Sequence, residues 1–189
     1  MKEDLLKSIS LYELYLLIVL IILASTTQNT YLLLLFIALF SKHIPEQIIK
    51  RFLSYDKQGN ITNIAKRPEG AFNCNMFNSG GDASTTSGLI SGHVFLISTL
   101  TFYTIFKFTN SLKNKPTLKQ SILITILITL TLTVAYARIN IKCHTKTQAL
   151  LGFVAGIIWG YIIYIITKNI IKKYKRLQED QNKIDNLFQ

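Results

Sequence analysis

The feature that most constrains this chain is a series of apolar runs with almost no charge inside them. They fall at Leu11–Ala24, Tyr31–Phe40, Gly88–Phe108, Gln120–Ala137 and Thr147–Thr167. A helix needs about 20 residues to cross roughly 30 Å of hydrocarbon, and lipid offers the backbone no hydrogen-bond partners outside a helix or closed barrel. The pattern therefore predicts an all-α membrane protein, a bundle of about five transmembrane helices with polar segments gathered at its two ends.

Tyr12 and Tyr15 sit at interface depth at the entry to the first run. The basic start and the Ala24-Ser25-Thr26 stretch also fit a cleaved signal peptide, and the retained span is the preferred reading. Ser25 to Thr30 is expected to turn. The second run is strongly apolar to Phe40 and then mixed, and it is extended to Leu53 with a kink expected at Pro45. Ser54 to Ser87 is a long polar connection, and connections of that length are usually functional or disordered. The domain reading is a membrane-embedded unit over residues 1–175, its site-bearing core about 45–160, followed by a polar tail at 176–189.

The formal net charge of +11 lies almost entirely outside the apolar runs. Basic residues bordering spans contact lipid headgroups and control topology. With no basic soluble domain, nucleic acid is not an expected partner; membrane lipids are. The two cysteines, Cys74 and Cys143, form no CxxC or Cys/His metal spacing, so no metal is expected. Both fall on one side of the bundle, either as a disulfide in an oxidising compartment or as two thiols. Spans three to five hold no acidic residue, which disfavours an ion-coupled transporter.

Span parity places Arg67, His93, Arg138 and His144 at the same membrane face. His43, beside Lys42 and Pro45, reads as an interface residue. His93 and His144 differ, because each sits near the start of a span. A helix start offers unsatisfied N–H groups and the positive end of a dipole, both favourable to anions. Ser91 adds a hydroxyl, Gly92 permits close backbone approach, and Arg67 and Arg138 supply planar forks for phosphate oxygens. Phosphoryl transfer needs charge neutralisation, a nucleophile and a leaving-group acid. Two histidines fill the last two roles near neutral pH. No cofactor is implied.

Three segments, Lys66-Arg67-Pro68, Ile90-Ser91-Gly92-His93 and Ala137-Arg138 with His144 and Gln148, resemble the signatures of the type 2 phosphatidic acid phosphatase superfamily in order. That superfamily also includes vanadium haloperoxidases, which are usually soluble. The resemblance implies a metal-independent lipid phosphatase. In it His144 is the nucleophile and forms a phosphohistidine, and His93 protonates the leaving oxygen. Arg67, Arg138, Ser91 and the Gly92 amide hold the phosphate. The family lysine falls here on Asn60, so Lys66, Lys57 or Lys50 would have to serve. Ile90 stands for the family proline and Ala137 for a serine. Gln148 stands where the family has the aspartate that orients the nucleophile. A glutamine carbonyl can accept the imidazole N–H from that position, or Gln148 can close a capping box with Thr145.

The His-Thr-x-x-Gln arrangement is similar to the dolichyldiphosphatase branch. It implies a polyprenyl diphosphate substrate, with phosphatidic acid as the other candidate. A catalytically inactive lipid-phosphate binding or scaffold protein on the same fold is the alternative reading. The basic cluster Lys168, Lys172, Lys173, Lys175 and Arg176 favours a cytoplasmic tail. That leaves the site extracytoplasmic or lumenal, in the endoplasmic reticulum for a dolichyl substrate. The acceptor sequence Asn60-Ile61-Thr62 is compatible with this. The loop containing Phe72, Met76 and Phe77 reads as a lid or as a mobile connection, and its Asp82 or Glu69 as a stand-in carboxylate. Gly152, Gly156 and Gly160 recur every fourth residue and read as a packing stripe. Oligomeric state is not legible.

Overall fold

The computed structural model describes residues 12–27, 30–71, 74, 87–110 and 116–187. Among these the protein is all helical. Its helices are α1 (Tyr12–Thr27), α2 (Thr30–Phe40), α3 (His43–Leu53), α4 (Gly92–Asn110), α5 (Leu118–Asn140) and α6 (Lys146–Leu187). Three described stretches are long and apolar enough to cross a membrane: Leu32–Leu53, Leu118–Asn140 and Lys146–Glu179. The apolar part of α1, Ile18–Thr27, is shorter. The 19-residue α4 is enclosed by the bundle. Every residue from Ser91 to Thr101 is buried, so Ser98, Thr99 and Thr101 face protein rather than lipid. Conversely, Ile122, Ile126 and Leu132 of α5 and Leu150, Val154 and Ile158 of α6 point outward, as the lipid-facing side of a membrane bundle should.

The second run does not kink at Pro45. It breaks at Ser41-Lys42, and Pro45 lies in the first turn of α3. There its missing N–H removes no helical bond. Ser41 closes α2 with its amide on Ile37 O (2.9 Å) and its hydroxyl on Ala38 O (2.6 Å). The break rotates α3, so that Ile44, Ile48 and Phe52 are exposed while Lys42 and Glu46 are buried against the bundle.

Packing around α4 sets the site. The glycine stripe of α6 lies directly on it. A Cβ at Gly152 would fall 2.7 Å from Ser91 O, and one at Gly160 would fall 2.9 Å from Thr99 O. The contacts advance in the same direction along both chains, so α4 and α6 run parallel and their N-terminal ends lie together. The packing reading of the stripe is correct, and its consequence is functional. Helix α5 packs antiparallel against α4, joined to it by the buried Thr101–Thr131 hydroxyl pair (2.9 Å). It brings Arg138, in its last turn, back to the same end. Leu39, Val94, Leu96, Ile97, Leu127 and Val134 fill the centre. The tail expected to be polar continues α6 as one helix to Leu187.

Candidate active site

The starts of α4 and α6 are latched to each other. Ser91 N–H donates to Gln148 O across the two helices (3.2 Å). Between α5 and α6 the chain reverses through a tight cap. Lys142 N–H bonds Ile139 O (3.0 Å) and Cys143 N–H bonds Arg138 O (3.1 Å), with Lys142 itself in the left-handed region at φ 57°. This is a Schellman closure, with lysine where glycine is usual. It fixes Cys143 and His144 directly above the last turn of α5. His144 N–H also bonds Arg138 O (3.2 Å).

His93 and His144 line one small cavity of about 190 Å³, together with Arg67, Lys42, Glu46, Lys50, Cys74 and Gly92. Both histidines are buried, at 8% and 3% exposure. The structure thus brings His93, His144, Arg67 and Gly92 together, as expected from the sequence. Ser91 lies beside them, fully buried, and its hydroxyl has no partner among the described residues. Arg138 is buried behind the cavity, its Nη2 donating to Cys74 O at 2.6 Å. Arg67 donates from Nη1 to Cys143 O at 2.9 Å. Burial pulls the Arg67 guanidinium below its ordinary pKa, which still leaves an arginine charged at neutral pH.

The imidazole of His144 is held by a backbone carbonyl. Its Nδ1 lies 3.2 Å from Gly88 O. Of the two roles open to Gln148, the capping box is the one formed, and the imidazole Nδ1 is bound to Gly88 O instead. The Gln148 side-chain oxygen takes Thr145 N–H (3.1 Å), and Thr145 Oγ1 accepts Gln148 N–H (3.2 Å), the reciprocal capping box that caps α6. Its Nε2 donates to Ile64 O (2.8 Å) and Lys66 O (2.9 Å). Gln148 therefore ties the Arg67 loop to the helix that follows His144. Gly88 must be glycine here, since a Cβ would fall 2.8 Å from Gln148 Oε1 and 3.0 Å from Arg67 Cγ.

Of the three candidate lysines, Lys50 lines the cavity. Lys66 and Lys57 are exposed, and Lys66 meets the site through its carbonyl. Lys50 and Lys42 flank Glu46 at i,i+4 spacing, with Nζ–carboxylate distances of 2.5 and 3.2 Å. Lys42 Nζ also bonds Gly92 O at 3.0 Å. Lys42 and Glu46 were not among the expected site residues. Their i,i+4 spacing was the available signal, hidden in the mixed end of an apolar run. Of the carboxylates offered as stand-ins, Glu69 is exposed and Asp82 lies outside the described residues, as do Phe72, Met76 and Phe77 of the expected lid. Cys74 and Cys143 form a disulfide, with Cα atoms 5.3 Å apart.

A family model, the PAP2 superfamily, matches residues 14–172. The chain belongs to the PAP2 superfamily. The match reaches from α1 into α6, more than the 45–160 stretch carrying the three motifs. PAP2 membership supports a phosphatase activity in general. Neither curated proteins nor solved structures yield a match. Within this PAP2 chain, electrostatics favour the neutral form of the buried His144. Burial, then the charges of Arg138 and Arg67, hold its pKa well below the ordinary histidine range, and the Gly88 hydrogen bond opposes them.

Proposed function

We propose that the chain is a metal-independent integral-membrane phosphatase that cleaves a lipid phosphate or diphosphate through a phosphohistidine on His144. The observation that carries the reading is the His144 Nδ1–Gly88 O hydrogen bond. A carbonyl only accepts, so Nδ1 carries the hydrogen and the lone pair of Nε2 is the nucleophile. The Nε2–phosphorus bond forms as the bond from phosphorus to the lipid-side oxygen breaks, and protonated His93 delivers its proton to that oxygen. Water then attacks the phosphohistidine, His93 takes back a proton, and inorganic phosphate leaves. Arg67, Arg138, Ser91, Gly92 and Lys50 neutralise and orient the phosphoryl oxygens. Lys66 and Gln148 act on the Arg67 loop instead.

The preferred substrate is a polyprenyl diphosphate of the dolichyl type, with phosphatidic acid second. A larger cleft of about 840 Å³ shares Lys50 and Arg67 with the inner cavity and adds Arg51, Ile48, Phe52 and Tyr55. That combination suits a second phosphate next to an apolar tail. The disulfide supports a lumenal or extracytoplasmic site, since cytosolic proteins rarely keep one.

The test is phosphate release in detergent with EDTA, comparing polyprenyl diphosphate, polyprenyl monophosphate and phosphatidic acid. Release that survives EDTA and vanishes in His144→Ala supports the reading. Binding of vanadate without turnover of any of these lipids overturns it in favour of a lipid-phosphate binding protein.

A further inference from the structure

The two cysteines do more than join two loops. Each presents its backbone carbonyl to a different arginine of the phosphate site. Cys74 O accepts from Arg138 Nη2 at 2.6 Å, and Cys143 O accepts from Arg67 Nη1 at 2.9 Å. The disulfide joins these two carbonyl-bearing residues across a sequence separation of 69. Cys143 also precedes the proposed nucleophile, and its N–H closes the Schellman cap on Arg138 O. Both half-cystines are buried, at 3% and 0% exposure, and Cys74 lines the inner cavity. One covalent bond thus braces both guanidinium groups and the backbone that carries His144.

We infer that Cys74 and Cys143 are positioning residues whose disulfide holds the Arg67–Arg138 phosphate clamp, so that anion binding depends on the oxidised bond. A guanidinium gains its phosphate specificity from the fixed direction of its N–H fork. One donor of each fork is committed here to a carbonyl, and this sets the plane in which the remaining donors lie. Two electrons and two protons convert the bond into two thiols. Cys74 is then no longer tethered to Cys143, and its carbonyl loses its fixed position beside Arg138. The protein would therefore bind lipid phosphate fully only where the bond is kept oxidised, which ties the activity to compartment. This inference rests on the proposed phosphate site.

Vanadate binding by calorimetry separates the two, because it requires no turnover. The full chain would be compared as the oxidised wild type, as wild type reduced with a phosphine reductant and then reoxidised, and as C74S/C143S. The expected result is at least a tenfold weaker vanadate Kd in both disulfide-free forms. Recovery is expected on reoxidation of the wild type only, and a matching rise in KM should exceed any fall in kcat. A staple that merely stabilises the fold would lower Tm and leave Kd unchanged, which overturns the inference. Two titratable thiols in the oxidised protein also overturn it. If C74S/C143S does not fold, C74A/C143A and the reduced wild type carry the comparison; if no disulfide-free form folds, the bond is a folding staple and the inference fails. Tight vanadate binding by wild type without hydrolysis removes the proposed reaction but leaves the clamp. Absence of vanadate binding in wild type removes both.

Discussion

The ring of His144 takes its orientation from Gly88: Nδ1 of the imidazole lies 3.2 Å from that carbonyl oxygen. The aspartate that the family places beside its nucleophile is absent, and a neutral acceptor fixes the tautomer instead. A carbonyl orients the ring but stabilises developing imidazolium charge less than a carboxylate would. His144→Ala is expected to reduce phosphate release by at least ~10³-fold, with unchanged detergent elution volume, because the covalent step has no substitute nucleophile. Retained turnover in that variant would end the phosphohistidine account.

The pH dependence follows from the same ring. Burial first, then Arg138 and Arg67, hold its pKa well below the ordinary histidine value. As the proposed nucleophile, His144 must be neutral, and a depressed pKa keeps it neutral as pH falls through the ordinary range. The acid limb of kcat/KM that belongs to the free enzyme should therefore lie below about pH 6.5. It is checked with a substrate whose own phosphate ionisation has been measured separately. A limb at or above that value contradicts the electrostatic account of the cavity.

Lys50 is expected to serve the site, and Lys57 and Lys66 are not. Lys50→Met should lower kcat/KM by about 10- to 100-fold, the worth of a charge-assisted hydrogen bond of roughly 1.5–3 kcal/mol. It should also move the acid limb upward, since the Lys50 charge is one of the causes lowering the His144 pKa. Lys57→Met and Lys66→Met, both at exposed positions, should stay within about twofold of wild type, as surface changes usually have small effects. Steady-state kinetics on the three variants decides it, and equal losses at all three would refute the assignment.

What the sequence makes legible here is what repeats or alternates. Uncharged runs give the all-helical bundle, and span parity gathers Arg67, His93, Arg138 and His144 at one end. The parallel packing of α4 and α6 was implicit in Gly152, Gly156 and Gly160, although the stripe alone does not say which helix it meets. Three features were out of reach for physical reasons. The Gly88 carbonyl is backbone, and backbone acceptors leave no residue-type signal. Lys50 is displaced from the motif position, now Asn60, because the chain first makes the Asp56–Asn60 turn, closed by Asp56 N–H on Asn60 O at 2.9 Å. The pairing of Cys74 with Cys143 depends on the tertiary placement of Cys74 beside the α5–α6 cap, and their spacing alone allows either state.

Gln148 is expected to resist replacement by the family aspartate. The shorter carboxylate has no N–H to offer Ile64 O and Lys66 O, and it would face both carbonyls as an anion. Gln148→Asp should lose about tenfold or more in kcat/KM, from two hydrogen bonds of roughly 1 kcal/mol each, with KM rising as the Arg67 loop loosens. Gln148→Glu, which keeps the chain length and the N-cap acceptor, should lose less. An Asp variant more active than wild type would show that orienting the nucleophile, not holding the Arg67 loop, is the limiting role at this position.

The glycine stripe gives a final test that separates packing from catalysis along one helix. A Cβ at any of the three glycines meets α4 at under 3.0 Å, so each Gly→Ala change should cost stability, about 1–3 kcal/mol for forced overpacking. The functional effect should be graded by position. At Gly152 the nearest atom is Ser91 O, 2.7 Å away, and displacing it shifts the turn that presents Ser91 and His93. At Gly160 the nearest atoms are Thr99 O and Tyr103 N, two to three helical turns further from the cavity. Melting temperatures in detergent should therefore fall in both variants. Activity per folded molecule should fall several-fold in Gly152→Ala and stay close to wild type in Gly160→Ala. Equal activity losses would mean that the start of α4 is not held by this contact, and that the parallel pairing of α4 and α6 does not by itself place His93.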